Sequence, residues 1–453
     1  MKKRPNLVYV FSDQHRADAA GYTGNPDVKT PVMDGLSRRG ISFTTAVSNA
    51  PVCGPARASL LTGQLGLTNG VFVNDVNLNP EAVTIGKVFK GAGYDTAYIG
   101  KWHLDGCGRL SFISKERRQG FDFWRAMECT HNYNNSYFYA DGPRRLAWEG
   151  YDAQAQTECA CEYIRNRNPE KPFVLFVSWG PPHSPYHTAP EAFRRLYDPE
   201  RLTLRPNVPH GLEDRTRGDL AGYYSHITAL DSCLGDIWNT LLDEGIEEET
   251  IFIYTSDHGD MLGSQGHFNK QRPWDESIRV PFLLLCPALS GNGAREIEVP
   301  FSTIDIMPTL LDLCGVAIPD TVEGVSFAPY LQCGDPPKRD AALIECVHAF
   351  GQWIKREGGK EFRGVRTSRY TYVRDLKGPW LLYDNLADPH QLQNLIGTGA
   401  GNALLPGLDA RLQGLLSAYR DAFLPGERYI EKWGYPVDDT GTVPYTGYDP
   451  DGE

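Results

Sequence analysis

PVCGPARASLLTGQLGLTNG, residues 51–70, opens with a compact chemical unit: Cys53, Gly54, Pro55, Ala56 and Arg57, then an apolar turn from Ala58 to Leu61, then Thr62 and Gly63. A cysteine on a loop, followed by proline and a helix-forming run, is predicted to sit at a helix N-terminus, where free backbone amides favour an anionic group. Arg57, one turn along, is placed to brace such an anion or the cysteine side chain. Read alone, the same residues serve equally as a buried thiol beside a helix start, since cysteine is among the most buried residue types.

The chain around this stretch is long enough, at 453 residues, for a large α/β domain with a smaller partner. Apolar residues make up 41% and charged residues 23%, the balance of a soluble globular protein. A formal net charge of −12 disfavours nucleic acid as a partner, which requires clustered Lys and Arg, but leaves room for a local cationic pocket that takes an anionic substrate. No run approaches the ~18 apolar residues of a membrane span, and the start MKKRPNLVYVFSDQ is too short in apolar residues for a signal peptide. A cytoplasmic location is expected for the chain as written, and a periplasmic or secreted one if a leader has been removed. The ten cysteines lack zinc-type spacing and read as reduced thiols.

Several short β-branched and aromatic runs end in polar residues, which is where open α/β sheets place their ligands. Asn6–Ser12 leads to Asp13, Gln14 and His15; Tyr94–Gly100 leads to Lys101, Trp102 and His103; Pro172–Trp179 leads to a proline-flanked His183; Ile251–Ser256 leads to Asp257 and His258. Lys101 and His103, alternating on an extended segment, are expected to point the same way. After the second of these runs, residues 106–150 read as one irregular insertion rich in Arg, Asn and Tyr, whose centre, His131, Asn132, Tyr133, Asn134 and Asn135, suits sugar faces and hydroxyls. His131, Asn132 and Asn134 are therefore the candidate substrate-binding residues. Helices are predicted over 30–39, 84–90, 152–165, 218–243 and 303–313. From about residue 341 the pattern changes to short strands, 362–367, 370–374 and 380–384, then a Leu-rich helix over 406–423.

Taken together, the motifs resemble those of the type I sulfatases, members of the alkaline phosphatase superfamily. The carriers are Cys53-x-Pro55-x-Arg57 with Leu61-Thr62-Gly63, the pair Asp13-Gln14, Gly100-Lys101-Trp102-His103-Leu104, Pro182-His183-Ser184-Pro185, and Ser256-Asp257-His258-Gly259 followed by Lys270 and the stretch ESIRVP at 276–281. Tyr383–Pro389 resembles a further stretch of the family's C-terminal region, so the likeness runs from about residue 5 to residue 395. It implies an α/β fold with a large mixed central sheet flanked by helices, alkaline phosphatase-like, in a catalytic domain over residues 1–340. A smaller α+β subdomain with an antiparallel sheet, a helix and a tail would occupy 341–453.

The resemblance also implies a chemistry. Cys53 would be oxidised to formylglycine by a formylglycine-generating or radical maturing enzyme, and the hydrated aldehyde would attack sulfur. Asp13, Gln14, Asp257 and His258, with the group at position 53, would hold one hard cation, Ca²⁺ or alternatively Mg²⁺. Arg57, Lys101 and Lys270 would stabilise the non-bridging sulfate oxygens, His183 or Lys270 would protonate the departing alcohol, and His103 would take the proton that lets the aldehyde re-form. The expected substrate is a small-molecule or oligosaccharide sulfate ester. The alternatives are a phosphonate monoester or phosphodiester hydrolase of the same superfamily, or a non-catalytic carbohydrate-binding relative. Gln265 and His267 fall outside the expected catalytic set.

Overall fold

The computed structural model describes residues 4–286, 289, 294–337 and 339–444. The part of the tail beyond 444 lies outside the described residues.

Strand β1 (Asn6–Asp13) is buried at all eight positions and alternates between two cores. Leu7, Tyr9 and Phe11 join one apolar cluster, and Val8 and Val10 the other, so β1 must lie inside a sheet covered on both faces. The remaining strands are β2 (Ile41–Phe43), β3 (Ala46–Val47), β4 (Asp95–Lys101), β5 (Phe123–Met127), β6 (Ser136–Phe138), β7 (Leu146–Trp148), β8 (Phe173–Pro182), β9 (Thr250–Ser256), β10 (Phe282–Leu285), β11 (Arg295–Ile297) and β12 (Phe301–Ser302). The eight-stranded sheet runs β11-β2-β10-β9-β1-β8-β4-β5. Within it β9, β1, β8, β4 and β5 are mutually parallel, while β10 is antiparallel to both of its neighbours. The long helix Glu213–Asp243 and the helix Asp152–Arg165 cover one face, supplying Leu230, Leu234, Ile237 and Ile164 to the core there. Thr303–Leu313 packs on the other face through Met307, Leu310 and Leu311.

Residues 106–150 are not one irregular insertion. Phe123–Met127 forms β5, an edge strand of the main sheet, and β6 and β7 pair as a small antiparallel ribbon. Beyond residue 340, β13 (Ala341–Cys346), β14 (Phe362–Thr367), β15 (Tyr370–Asp375) and β16 (Gly378–Asp384) form an antiparallel sheet. One face of that sheet packs on the helix Gly399–Ala418 through Leu408, Leu412 and Leu416; the other, through Ala342, Ile344 and Val373, packs on Met261, Trp274 and Ile278 of the main body. The helix starts seven residues earlier than the predicted Pro406 and ends at Ala418. Thr398 caps it by accepting from the Gly401 N–H, and Pro406 lies within it. No helix among the described residues is long and apolar enough to cross a membrane.

Candidate active site

Four adjacent parallel strands bring their C-terminal ends to one edge of the sheet: β9 delivers Asp257 and His258, β1 delivers Asp13 and Gln14, β8 delivers His183, and β4 delivers Lys101 and His103. Close approach of β4 to β8 depends on Gly100, whose φ is +103°, because a Cβ there would lie 2.0 Å from the Ser178 carbonyl oxygen. Over this edge sits the helix Cys53–Thr62 with Cys53 as its first residue. Lys270 Nζ donates to Cys53 Sγ at 3.0 Å, His258 Nε2 lies 3.3 Å from the same sulfur, and Asp13 Oδ1 lies 3.5 Å from it. The thiol is held well below its ordinary pKa. Burial and Asp13 oppose its ionisation, and Lys101, Lys270 and His258 outweigh them.

Asp13, Cys53, Asp257 and His258 each offer one donor atom within 4.8 Å of the others, all buried. The His258 Nδ1–H donates to the Gly259 carbonyl at 3.0 Å, so Nε2 is the nitrogen that faces Asp13 and Asp257, 3.5 and 3.6 Å away, and the one free to give up its proton to a cation. Gln14 adds a further donor. Its Nε2 is tied to Asp260 Oδ2 at 2.6 Å, and its buried Oε1 has no hydrogen-bond partner among the described residues. Two carboxylates and one imidazole, with an orphaned carbonyl oxygen on the residue next to Asp13, are donors that fit a hard, oxygen-seeking cation. Burial and the neighbouring Asp13 push the Asp257 carboxyl up, and a bound cation would relieve that crowding.

Arg57 lies beneath the cavity and does not line it. It is 1% exposed, and its guanidinium donates to Asp257 Oδ2 (3.0 Å), Asp13 Oδ2 (3.3 Å), Ser178 Oγ (2.7 Å) and the Lys101 carbonyl (2.9 Å). Its place corrects the expectation that it meets sulfate oxygens: with its donors spent on two carboxylates, it braces them. Lys101 pairs with Asp13 Oδ2 at 2.6 Å and also reaches the cavity. His103 is not on an extended segment. Its φ is +59°, and its backbone is held by the N–H bond to the Glu128 carbonyl just past β5. Asp75 binds His103 Nε2 at 3.0 Å, leaving Nδ1 without a hydrogen-bond partner among the described residues. Burial lowers the basicity of His103, yet Cys129, Asp75 and Cys53 raise its pKa to about 10.

The cavity above Cys53 measures about 670 Å³, part of it open to solvent. Lys101, His103, His131, His183 and Lys270 line it, as the sequence led one to look for. Asn132 and Asn134 lie outside its lining and are exposed; the Asn134 amide is spent on the Thr188 carbonyl at 2.8 Å. Gln265 binds the carbonyls of His390 and Gln391, and His267 stacks on Trp274, so neither reaches the cavity. The sequence reading missed Asn74, Asp75, Arg109, Cys129, Gln352 and Thr442, all of them lining residues. Three of them pair with residues the sequence had singled out: Asp75 with His103, Asn74 by accepting from the Gly54 N–H at 2.9 Å, and Cys129 with His131. Against six lining groups that can carry positive charge, Asp75 is the one acid among the described lining residues.

The sequence model of the Sulfatase family matches residues 5–316, and that described as N-sulphoglucosamine sulphohydrolase, C-terminal, matches residues 263–418. The chain is 42% identical over 439 residues to an ulvan-active sulfatase of Formosa agariphila, covering 95% of this chain and 85% of the relative. It is 30% identical over 464 residues to an endo-4-O-sulfatase of Bacteroides thetaiotaomicron, covering 87% and 88%. A solved structure from work on glycosaminoglycan metabolism by Bacteroides thetaiotaomicron superposes with a TM-score of 0.85 at 29% identity, covering 95% of this chain and 99% of that one. The mixed sheet, its helices and the small antiparallel sheet are thus the alkaline phosphatase-like architecture of these enzymes. With one family model spanning more than half of its length and a relative at 42% identity, this chain belongs to the sulfatase family, the hydrolases of sulfuric esters.

Proposed function

We propose that this sulfatase releases sulfate from a carbohydrate, with Cys53 matured to formylglycine and one Ca²⁺ held by Asp13, Gln14, Asp257 and His258. The observation that carries the reading is the placement of Cys53 at a helix start, between a buried oxygen-rich donor cluster and the ammonium groups of Lys101 and Lys270. Relatives named for ulvan and for endo-4-O-sulfatase action support a glycan substrate, as do the neutral polar groups of Asn74, Gln352 and Thr442 at the cavity wall. Mg²⁺ would suit the same donors. The maturing enzyme is a required partner.

When bound, the cation supplies Lewis acidity toward a sulfate oxygen, and the formylglycine hydrate supplies a nucleophilic hydroxyl together with a second hydroxyl through which sulfate is later expelled. The chain's own residues do the rest. Lys101 and Lys270, buried at the cavity floor, neutralise charge on the sulfate oxygens, and their burial strengthens that attraction. His183, whose Nδ1–H donates to the Ser184 carbonyl at 2.7 Å, presents Nε2 to the departing alcohol. His103, oriented by Asp75 through Nε2, exchanges a proton at Nδ1 when the ester is broken down.

The test is to co-express the chain with a formylglycine-generating enzyme and read position 53 by peptide mass spectrometry. Sulfate release is then measured from sulfated mono- and disaccharides, an aryl sulfate, and an aryl phosphodiester and phosphonate. Formylglycine at 53 with turnover of a sugar sulfate is expected. Full turnover from protein with an unmodified Cys53, or a preference for phosphorus esters at equal leaving group, would overturn the reading.

A further inference from the structure

We propose that Glu128 is the positioning residue for His103: it gathers the backbone amides of four consecutive residues, 103 to 106, and so sets where the His103 ring stands in the cavity wall. The inference rests on the reading of His103 as the group that exchanges a proton when the sulfated enzyme is broken down, and it names the residue through which the fold places that group.

Strands β4 and β5 run parallel, with Lys101 opposite Met127. Their hydrogen bonding continues just beyond, from Trp102 N–H to the Met127 carbonyl and from His103 N–H to the Glu128 carbonyl, both at 2.8 Å. At His103 the chain turns, with φ at +59°, and the next three amides end on the Glu128 side chain instead. Oε2 accepts from Leu104 N–H at 3.2 Å, and Oε1 from Asp105 and Gly106 N–H at 2.9 and 3.0 Å. One fully buried carboxylate thus does for the turn what a neighbouring strand would do. The turn is also tied to the segment that carries Asp75. Leu78 N–H donates to the Leu104 carbonyl at 2.9 Å, and a Cβ on Gly106 would lie 2.6 Å from the Asn77 nitrogen.

The His103 side chain itself is 3% exposed and held at Nε2 by Asp75, so once its backbone is fixed the ring has one place to stand. A non-glycine residue persists in the left-handed region only where its surroundings over-determine it, and such residues cluster at sites of chemistry. Glu128 supplies that constraint from the opposite side to Asp75, one acting on the backbone and the other on the ring. Burial pushes the Glu128 carboxyl up to about 7, with His103 and the loop amides opposing the rise and Asp105 adding to it, so above that pH both oxygens accept. An amide in its place would fill the same space but offer one oxygen, and its NH₂ would meet an N–H, which loosens the turn. Misplacing a reacting group by about 1 Å costs its step roughly 100-fold.

Steady-state and rapid-mixing kinetics of the matured enzyme on 4-nitrophenyl sulfate test this, read a unit or more above the Glu128 pKa, with formylglycine confirmed in each variant by mass spectrometry. Glu128→Gln is expected to lower kcat by roughly 10–100-fold with KM falling in the same ratio, so that kcat/KM is unchanged, and to release a burst of nitrophenolate before the slow phase. That pattern marks a defect confined to breakdown of the sulfated enzyme, whereas a smaller share of competent protein would lower kcat and leave KM where it was. Glu128→Asp, which keeps the charge on a side chain one methylene shorter, should show the same pattern. Glu128→Gln added to His103→Ala should cost nothing beyond His103→Ala alone, as expected of a residue that acts through the ring. A fall in kcat/KM or an unchanged KM in the folded Glu128 variants, or a further loss in the double variant, overturns the proposal. So does failure of both Glu128 variants to fold, which would assign the carboxylate to the fold alone. If His103→Ala shows the burst and the Glu128 variants do not, the positioning role falls by itself; if His103→Ala shows none, the reading of His103 falls with it.

Discussion

The side-chain amide of Gln14 donates to Asp260 Oδ2 at 2.6 Å, and this bond decides which way the amide faces. With the nitrogen committed to a carboxylate, the amide oxygen is left buried and without a hydrogen-bond partner among the described residues, on a residue whose own backbone N–H donates to Asp257 Oδ1 at 3.1 Å. In the proposed cation site Asp260 would orient the Gln14 ligand from behind, and such supporting residues typically matter by ~10–100-fold in metal affinity. Asp260→Asn, which can bond the amide in either orientation, is expected to weaken Ca²⁺ binding by about that factor, and Asp257→Ala to abolish it. Calorimetric Ca²⁺ titration of chelator-stripped protein measures both. Unchanged affinity in Asp257→Ala would remove these residues from the cation site.

Arg57 is the cation on which two buried carboxylates depend, so its removal should be felt first in stability. Taking away one partner of a buried ionic cluster typically costs ~3–5 kcal/mol, because the remaining charges stay buried without compensation. Arg57→Ala is expected to lose stability of that order in urea unfolding of the cation-free protein. Arg57→Lys, which keeps the charge but cannot reach Asp13, Asp257 and Ser178 together, should fall between. If cation-free Arg57→Ala unfolds at the wild-type urea concentration, the bracing role is wrong.

Residues of the site that terminate hydrophobic strands were legible in the sequence, because an apolar run ending in Asp13, Lys101, His183 or Asp257 marks the sheet edge where ligands bind. What the sequence hid were pairings made through space. Arg57 reads as an active-site cation until the fold places it between Asp13 and Asp257, 44 and 200 residues away. Strand β5 was hidden for a different reason. Its Arg125 looks like a loop residue, yet its guanidinium lies over the Phe123 ring at 4.7 Å and its apolar stem helps cover the strand. The insertion's aromatic residues suggested a sugar platform, whereas Tyr133 is 1% exposed and Tyr137 and Tyr139 spend their hydroxyls on holding the Arg109 loop.

Asp152 gives the fold a pH dependence that has nothing to do with catalysis. It is the first residue of the helix Asp152–Arg165 and fully buried, and burial raises its carboxyl pKa to about 8, with Ser136 and the Ala153 N–H offsetting only part of the rise. An unfolded chain releases that proton near pH 4. Between about pH 4 and 8 the folded state therefore binds more protons than the unfolded state. The stability Asp152 contributes is complete below pH 4 and is lost as the pH rises through 8. Asp152→Asn, neutral at every pH, should gain on the wild type by at least ~1 kcal/mol between pH 5 and pH 9. Urea unfolding at the two pH values measures the difference, and parallel behaviour of the two proteins would show that Asp152 is ionised in the fold.

His183 carries the sharpest test of the mechanism. Its ring stacks on His131, with centroids 4.4 Å apart and planes 6° from parallel. Burial and Lys270 hold it well below the ordinary histidine pKa, with His131 adding to the effect, so the ring is neutral in the free enzyme. A sulfate ester placed beside it adds negative charge and favours the protonated ring that an acid needs. A sugar alkoxide requires that proton and a nitrophenolate does not, and general-acid help is worth roughly 10²–10⁴-fold where it is required. His183→Ala is therefore expected to lose far more kcat on a sugar sulfate than on 4-nitrophenyl sulfate. His131→Ala, which removes the stack but not the acid, should lose about 10-fold, a factor worth ~1.4 kcal/mol of positioning. Wild-type kcat on the sugar sulfate should decline as pH rises through the His183 pKa in the complex, while the aryl sulfate profile stays flat over that range. Equal losses on both substrates in His183→Ala, with a wild-type sugar-sulfate rate as flat as the aryl sulfate rate over that range, would transfer the proton donation to Lys270, which already reaches position 53 at 3.0 Å.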